Sequence, residues 1–190
     1  RCVVDVIRRA NVAHAIGAPH ERKIGTELLA LVHGERDIDR LVSVGEPPRV
    51  VHAAITEGTR CGIRGKAHAN ELARLADCDV AYVCDPDLDR ADEVGELLVK
   101  LKRPMPKKVQ DLRKVLEDQS VDVVFIATPN HWHSLMAIWA CQAGKDVYVE
   151  KPCSHNWWEG RQLVRAVQKY NRIVQAGTQS RSSTGLKEAF

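Results

Sequence analysis

Short apolar runs alternate with segments of helical periodicity over the second half of the chain. Val121–Thr128 is a nearly continuous apolar run rich in β-branched residues, which is typical of a strand covered on both faces of a sheet. An apolar stripe at helical spacing follows it, with Asn130 as a suitable N-cap and Gly144 as the stop signal. The alternation continues with a strand at 146–149, a helix from 157 to about 171 and a strand at 172–176.

The segment upstream of Val121 shows the same alternation. It predicts helices at 69–75, 89–102 and 109–117, a strand at 80–84, and a loop at Pro104 and Pro106. Strands that alternate with helices of about ten to fifteen residues indicate right-handed βαβ units and a parallel sheet. We therefore predict the α/β class, in the form of a doubly wound parallel sheet.

Residues 1–49 lack this alternation. Short helices at 27–32 and 38–44 are compatible with the pattern, but no recognisable motif accompanies them. Pro47-Pro48 then marks a boundary, because two prolines in succession cannot continue a helix. We predict an unassigned amino-terminal extension over 1–49 and a domain that starts at residue 50.

Composition and charge are those of a globular domain, and they argue against nucleic acids and membranes as partners. Of the 190 residues, 44% are hydrophobic and 28% are charged, and the formal net charge is +3. Because that charge is small and no run of five like charges occurs, we expect no nucleic-acid partner. No apolar stretch approaches the roughly 18 residues of a membrane span, so we expect no membrane insertion.

The six cysteines are scattered singly, without a CxxC pair. Isolated cysteines are typical of reduced thiols in a reducing compartment, so we expect a cytoplasmic protein. The chain starts at Arg1 and shows no charged-then-apolar leader. An export signal is therefore either absent or removed upstream.

The first stretch that carries chemistry reads CGIRGKAH at 61–68 and precedes a helix. Gly62 and Gly65 stand where a dinucleotide-binding turn needs them: one lets the backbone approach a pyrophosphate, and the other allows close packing of helix on strand. Asp85 follows 20 residues after Gly65 at the end of a strand, where a carboxylate can accept hydrogen bonds from a ribose diol. An ordinary glycine-rich turn is the alternative.

This dinucleotide fingerprint is incomplete. A full version has three glycines, and Arg60 stands where the first one is expected. The run before the turn, ITEGTR at 55–60, is mostly polar, although a strand should lead into the turn. Either residues 50–55 form the strand and the loop is longer, with Gly58 as the first glycine, or the first strand is defective.

The second stretch reads ATPNHWH at 127–133 and lies at the carboxyl end of a predicted strand. Ligands bind at that edge of an open parallel sheet. Its threonine, asparagine and histidines offer hydrogen bonds there, and Trp132 can cover a flat ring. Zinc binding by His131 and His133 is disfavoured, because no third ligand follows at a familiar spacing. Plain loop and N-cap roles are the alternative.

The third stretch, Glu150-Lys151-Pro152, comes directly after the next predicted strand. Because parallel strands end at the same sheet edge, we expect Lys151 beside the 128–130 loop. A lysine there can donate a proton or a hydrogen bond to a reacting hydroxyl group, with Glu150 orienting or neutralising it. The alternative is a Glu–Lys surface pair beside a turn proline.

Together these stretches make the chain resemble the Gfo/Idh/MocA family, which includes glucose–fructose oxidoreductase and inositol dehydrogenase. The resemblance covers roughly residues 60–183. It is carried by GIRG at 62–65 with His68, CDPD at 84–87, ATPNHWH at 127–133, AGK at 143–145, VEKP at 149–152 and QAGTQ at 175–179. Glu-Lys-Pro after one strand, about 20 residues beyond Ala-Thr-Pro-Asn, is quite specific to this family.

The resemblance implies a Rossmann domain that binds NAD, with NADP possible, and a second α/β domain that forms the substrate site and an oligomer interface. Lys151 corresponds to the family's lysine beside the nicotinamide and the reacting carbon, which makes it the catalytic candidate. The implied cofactor-binding residues are Gly62, Ile63, Arg64, Gly65, Asp85, Thr128, Pro129, Asn130, His133, Glu150, Lys151, Pro152 and Gln179. Asp85 favours NAD, because a carboxylate would repel a 2′-phosphate. No metal is expected.

The resemblance also implies domain limits and an activity. It places the dinucleotide-binding domain at 50–180 and the start of a largely missing substrate domain at 181–190. We expect an NAD(P)-dependent oxidoreductase of a sugar, cyclitol or related polyol, and homo-oligomeric full-length relatives. An NAD-dependent glycosidase of the same family and a nucleotide-binding fragment without catalysis are the alternatives. Because the substrate wall is missing, the chain alone is expected to be inactive, and its early stop favours a fragmentary reading frame.

Overall fold

Parallel strands form one sheet at the centre of the described chain. The computed structural model describes residues 50–57, 62–178 and 184–189. The strands are β1 (Val51–Glu57), β2 (Cys78–Cys84), β3 (Lys107–Val109), β4 (Val123–Ala127), β5 (Asp146–Glu150) and β6 (Val174–Gly177). Their order across the sheet is β3-β2-β1-β4-β5-β6, and every adjacent pair is parallel. This is the strand order of a Rossmann fold, and it confirms the predicted doubly wound α/β class.

Helices cover both faces of this sheet. They are α1 (Gly62–Ala73), α2 (Leu88–Lys100), α3 (Leu112–Glu117), α4 (Asn130–Gln142), α5 (Trp157–Tyr170) and α6 (Thr184–Ala189). Helices α1 and α2 pack over one face, and α3, α4 and α5 pack over the other. The winding direction reverses between β1 and β4. In folds of this kind, ligands bind in the crevice beyond the carboxyl ends of those two strands.

Two apolar clusters, one on each face of the sheet, hold the layers together. Ile55, Leu72 and Phe125 lie in the cluster under α1 and α2, and Ile126 and Leu163 lie in the opposite cluster. Strand β4 contributes to both, because alternate side chains of a strand point to opposite faces and every residue of β4 is buried. A strand covered in this way reads as a continuous apolar run, which is the pattern that predicted it.

Polar residues begin and end several helices. Asp87, Asp111 and Asn156 are the N-caps of α2, α3 and α5, and each side chain accepts a hydrogen bond from a backbone N–H two or three residues on. After α4 and α5 the chain adopts the left-handed conformation at Gly144 (φ 77°) and Asn171 (φ 50°). Glycine and asparagine tolerate that conformation best, so the predicted stop signals are confirmed.

Strand β1 is longer than the apolar run that predicted it. It includes the polar residues Thr56 and Glu57. Thr56 is buried, and its Oγ1 donates to the backbone oxygen of Phe125 on the neighbouring strand at 3.1 Å, which accounts for a hydroxyl inside the sheet. The structure therefore favours an intact first strand over a defective one. Gly58 lies outside the described residues.

The stretch between Pro104 and the end of α3 contains a strand that the sequence pattern missed. Strand β3 pairs with β2 through residues 107–109, and α3 begins only at Leu112. The predicted helix start at Val109 is therefore wrong. Because β3 has three residues and the exposed side chains of Lys107 and Lys108 precede Val109, no periodicity marks it.

Residues 1–49, with the short helices predicted there, lie outside the described residues. Of the helices that the structure does describe, none is both long enough and apolar enough to cross a membrane. The described cysteines are free thiols; Cys78, Cys84 and Cys141 are buried and Cys153 is half-buried. Burial raises the pKa of the Cys78 and Cys84 thiols to about 12, so both stay protonated at neutral pH.

Candidate functional site

The carboxyl ends of β2, β1, β4 and β5 lie next to one another in the sheet. Three groups of predicted site residues follow these strands directly. Asp85 follows β2, the 128–130 loop follows β4, and residues 150–152 end β5 and continue beyond it. The fold therefore brings all three to one edge of the sheet, around the point where the winding direction reverses.

Asp85 is fully buried at the end of β2, and one of its carboxyl oxygens has no partner. Its backbone N–H donates to the backbone oxygen of Val109 at 3.1 Å, which fixes the residue in place. Oδ1 accepts from the backbone N–H of Asp87 at 2.8 Å, while Oδ2 has no hydrogen-bond partner among the described residues. Burial raises the pKa of Asp85, and the Asp87 N–H and Arg90 oppose the rise. A buried acceptor of this kind costs stability until a donor from a ligand reaches it.

Thr128 carries a second buried polar atom without a partner in the described chain, its Oγ1. The backbone oxygen of Thr128 is engaged, because it lies 2.7 Å from His133 Nε2. Pro129 occupies the N-cap position of α4, and Asn130 is the first helical residue. The prediction of Asn130 as the N-cap is therefore wrong, since the chain enters the helix one residue earlier.

A cavity of about 630 Å³ opens beside these groups, between the starts of α3 and α4. Apolar side chains form much of its wall: Leu112, Met136 and Trp139 on the helices, with Pro86 and Pro129 on the loops. Cavities of about 300–1,000 Å³ with apolar walls and a few polar groups are typical of small-ligand and cofactor sites. A flat heteroaromatic ring matches this combination of size and lining.

Glu150 points inward, towards α1. Its Oε1 lies 3.1 Å from His68 Nε2, and both side chains are only 6% exposed. His68 packs edge-on against Tyr148 and at a tilt against Phe125. This pair ties the end of β5 to the helix that follows the glycine turn. The idea that Glu150 orients Lys151 stays a prediction.

Lys151 and Pro152 are exposed at the sheet edge and are joined by a cis peptide bond. The first turn of α4 contacts the residues that follow Lys151. His133 Nδ1 lies 2.6 Å from the backbone oxygen of Pro152, and Ser134 Oγ donates to that of Cys153 at 3.0 Å. His133 is 1% exposed and both of its ring nitrogens face carbonyl oxygens, and its contribution to a cofactor site stays a prediction.

The amino end of α1 completes the edge. Gly62 is the first residue of α1 and Gly65 is buried, while Ile63 and Arg64 are exposed. No acidic residue lies in the first turn of α1. The free backbone N–H groups and the helix dipole at that end favour an anion such as a phosphate group.

These groups fit a nicotinamide adenine dinucleotide. Asp85 Oδ2 can accept from a ribose hydroxyl, the amino end of α1 can bind a pyrophosphate, and the cavity can hold an adenine ring. Thr128 and Lys151 lie at the ends of the strands on the other side of the switch point. The turn at 58–61 and the predicted contact Gln179 lie outside the described residues, so the role of Gln179 stays a prediction.

Some site residues were missed by sequence reasoning. Leu112 and Arg113 line the cavity, but their position depended on the strand that was read as loop and helix. Asp111 was the available signal, because an aspartate just before a helix is a frequent N-cap. The partner of His68 is 82 positions away in sequence, at Glu150, and no spacing rule indicates it. Within the described residues, no group of metal-ligating side chains could hold a metal ion.

The sequence pattern of the Gfo/Idh/MocA family, described as an oxidoreductase family with an NAD-binding Rossmann fold, matches residues 58–178. The match takes in more than half of the 190 residues and five of the six described strands, and it begins directly after β1. It includes Asp85, the loop after β4 and the Glu-Lys-Pro stretch after β5.

Curated relatives of this chain include two proteins from Shewanella. Glycosyl hydrolase family 109 protein 1 of Shewanella sp. (strain ANA-3) is 27% identical over 161 residues, which cover 83% of this chain and 32% of that protein. An alpha-N-acetylgalactosaminidase of Shewanella oneidensis is 32% identical over 112 residues, which cover 57% of this chain and 24% of that protein. The chain thus spans about a third or less of the length of these relatives.

Solved structures show the same fold. The myo-inositol dehydrogenase of Lactobacillus casei, determined in complex with NAD(H) and myo-inositol, superimposes with a TM-score of 0.65. The two sequences are 22% identical, and the superposition covers 73% of this chain and 40% of that chain. At this level of identity the likeness establishes the shared fold.

Proposed function

The chain belongs to the Gfo/Idh/MocA oxidoreductase family and carries an NAD-binding Rossmann domain; from this premise we propose that it acts in the oxidation of a hydroxyl group on a sugar, cyclitol or related polyol. One observation carries the proposal: Oδ2 of Asp85, buried at the end of β2, has no hydrogen-bond partner among the described residues. In a Rossmann fold a carboxylate at this place accepts hydrogen bonds from the hydroxyl groups of a ribose.

NAD is the preferred cofactor in this proposal. NADP carries a 2′-phosphate in place of one of the ribose hydroxyl groups that would donate to Asp85. The negative charges of that phosphate and of the Asp85 carboxylate would repel each other. Among the described residues, Arg90 is a cation that acts on Asp85, and its Nε lies 3.3 Å from a carboxyl oxygen of Asp87. Because Arg90 is already engaged in that ion pair, it compensates only weakly for a 2′-phosphate.

Lys151 is the proposed catalytic residue. Bound NAD supplies a hydride acceptor at its nicotinamide ring. Oxidation of a carbinol also releases the hydroxyl proton, and the amine of Lys151 is placed at the sheet edge to accept it. The exposure of Lys151 is compatible with contact to a substrate that lies beyond the edge.

An NAD-dependent glycosidase is the second candidate, and the names of the curated relatives favour it. Such an enzyme begins with the same oxidation of a sugar hydroxyl, so Asp85 and Lys151 keep their proposed roles. It then eliminates the glycosidic group and returns the hydride, so that no reduced cofactor accumulates. The two candidates therefore differ in their products and share this site.

Cofactor titration of the purified chain tests the proposal. We expect NAD to bind more tightly than NADP, measured by calorimetry and by the emission of Trp132 and Trp139 in the cavity wall. Asp85→Ala should weaken NAD about tenfold to a hundredfold, because hydrogen bonds to a charged group contribute about 1.5–3 kcal/mol. Lys151→Ala is the matched variant and should leave the affinity largely intact. No binding of either cofactor at millimolar concentration would reject the proposal.

Product analysis separates the candidates. The chain is incubated with NAD and a panel of polyols and glycosides, while NADH absorbance and glycoside cleavage are followed together. Accumulating NADH indicates a dehydrogenase, and cleavage without NADH indicates a glycosidase. Binding with neither product would favour the third alternative, a nucleotide-binding domain without catalysis.

A further inference from the structure

Two side chains in the first turn of α4 hold the backbone that follows Lys151. His133 Nδ1 lies 2.6 Å from the backbone oxygen of Pro152, and its Nε2 lies 2.7 Å from that of Thr128. Ser134 Oγ donates to the backbone oxygen of Cys153 at 3.0 Å. His133 and Ser134 are each 1% exposed, so water does not compete for these contacts. The imidazole thus joins the loop after β4 to the turn after β5.

Both contacts of the imidazole are to acceptors. A carbonyl oxygen cannot donate, so each contact is a hydrogen bond only if the facing ring nitrogen carries a proton. A neutral imidazole carries one N–H and an imidazolium carries two.

The turn after Lys151 is also confined from its other side. A Cβ added at Gly160 of α5 would lie 3.0 Å from Ser154 Oγ, so the helix backbone already approaches the turn closely. The Lys151 side chain itself is exposed and makes no hydrogen bond to any of the described residues. The described contacts therefore act on the backbone beside Lys151, which sets where its side chain begins.

We propose that His133 is a positioning residue for Lys151. Its ring is an imidazolium whose two N–H groups donate to the backbone oxygens of Thr128 and Pro152. We call this pair of hydrogen bonds the bracket, and it holds the turn after Lys151 against the end of β4. The role assigned to Lys151 rests on the proposed function; the bracket itself rests on the contacts of His133. Ser134 supports the bracket one residue further along the turn.

The protonation state of His133 is tested on the unmodified chain. Long-range proton–nitrogen correlation spectra of the ¹⁵N-labelled protein at pH 7 should show two N–H-type nitrogens for this ring, assigned through correlations from the ring protons to the sequentially assigned backbone of His133. One nitrogen of the unprotonated type would overturn the proposal. Because the spectrum is taken on the wild type, the test stands even where a variant fails to fold.

Two substitutions of His133, each of which keeps a different one of its two hydrogen bonds, test the positioning role. The amide of His133→Asn lies where Nδ1 was and keeps the bond to Pro152 O, whereas that of His133→Gln lies where Nε2 was and keeps only the bond to Thr128 O. We expect backbone order parameters at residues 151, 153 and 154 to stay near about 0.85 in His133→Asn and to fall towards about 0.6 in His133→Gln. His131→Asn, which alters an exposed histidine in the same helical turn, is the control and should change nothing.

Equal order parameters in both His133 variants would overturn the proposal, because a packing role alone would not distinguish them. NAD titration of the same samples separates this failure from failure of the proposed function. If the wild type shows the bracket but binds no NAD, the proposed function fails and the bracket stands. If NAD binds but the two variants behave alike, the bracket fails and the proposed function stands.

Discussion

The edge of the sheet at the amino ends of the strands and the edge at their carboxyl ends differ in how their buried polar side chains are hydrogen-bonded. At the amino-terminal edge, polar side chains are bonded to neighbouring backbone. Asp146 Oδ1 accepts from the backbone N–H of Ile173 at 2.9 Å, and Lys145 Nζ donates to the backbone oxygen of Asp118 at 2.7 Å. These bonds tie the loops before β4, β5 and β6 to one another. These hydrogen bonds stabilise the fold without a contribution from a ligand.

At the carboxyl edge, two buried oxygen atoms lack hydrogen-bond partners in the described chain, although other polar groups there are bonded. Asp85 Oδ2 and Thr128 Oγ1 are both in this state, on either side of the switch point. An unsatisfied buried polar atom costs about 1–3 kcal/mol, so such atoms persist where a ligand supplies the missing partner. From this comparison we expect substitutions at the amino-terminal edge to change stability and those at the carboxyl edge to change binding, and the following variants test that expectation.

The largest effect is expected for Asp85→Asn. Replacing the carboxylate by its neutral isostere should lower NAD affinity about tenfold to a hundredfold, because charged hydrogen bonds to the ribose are lost. The free energy of unfolding of the free chain should stay equal or rise, since the cost of burying a charge disappears. Calorimetric NAD titration and urea unfolding measure the two quantities. A large loss of stability in this variant would contradict a binding role for Asp85.

The pH dependence of binding follows from the same carboxyl group. Burial raises the pKa of Asp85 in the free chain, whereas ribose hydroxyls would bond to the ionised form. NAD affinity should therefore fall as the pH drops through this raised range, and NAD binding should release protons there. The contribution of Asp85 to folding has the opposite sign: it is favourable below the usual carboxyl range and is lost as the pH rises through the raised pKa.

The next effect is expected at the amino-terminal edge, for Asp146→Ala. The variant leaves the N–H of Ile173 without its acceptor, so unfolding free energy should fall by about 1–3 kcal/mol. NAD affinity of the folded protein should not change. Glu96→Ala, which removes an exposed ion pair with Lys100 at 3.9 Å, is the control and should cost little. If Asp146→Ala weakened NAD as strongly as Asp85→Asn, the distinction between the edges would fail.

Acid stability gives a smaller effect at the amino-terminal edge. Hydrogen bonds from Ser120 and Tyr82 lower the pKa of Asp118 from 3.8 to about 2. Its contribution to stability is therefore present above the usual carboxyl range and is lost as the pH falls towards 2. Asp118→Asn should lower stability at pH 7 by about 1 kcal/mol, and the difference from wild type should shrink below pH 4. Urea midpoints measured across this range check the prediction, and a constant difference would refute it.

The smallest effect is expected for Thr128→Val, which removes a hydroxyl and keeps the shape. The free chain should gain up to about 1 kcal/mol of stability, because a buried unsatisfied hydroxyl is replaced by a methyl group. NAD affinity should fall about twofold to fivefold if the hydroxyl contacts the cofactor. Parallel urea and calorimetric measurements test both changes, and a clear loss of stability would show that Thr128 has a partner within the protein.

Local patterns predicted the elements, and the geometry of a parallel sheet predicted where the motifs meet. The fully buried strand β4 and the glycine stop at Gly144 could be read from adjacent residues. Strand β3 could not, because its short lysine-rich run is stabilised only by pairing with β2. The contact of His133 with Pro152 joins residues 19 positions apart, so its place in the site required coordinates.

The two outer strands of the described sheet differ in how readily a further strand could pair with them. β3 is three residues long and carries Lys107 and Lys108, and charges on an edge strand discourage pairing. β6 reads VQAG, carries no charge, and none of the described strands covers its outer side. Its backbone N–H and C=O groups on that side form a template for β-pairing. Of the two outer strands that the structure describes, β6 is therefore the better suited to pairing with a further strand.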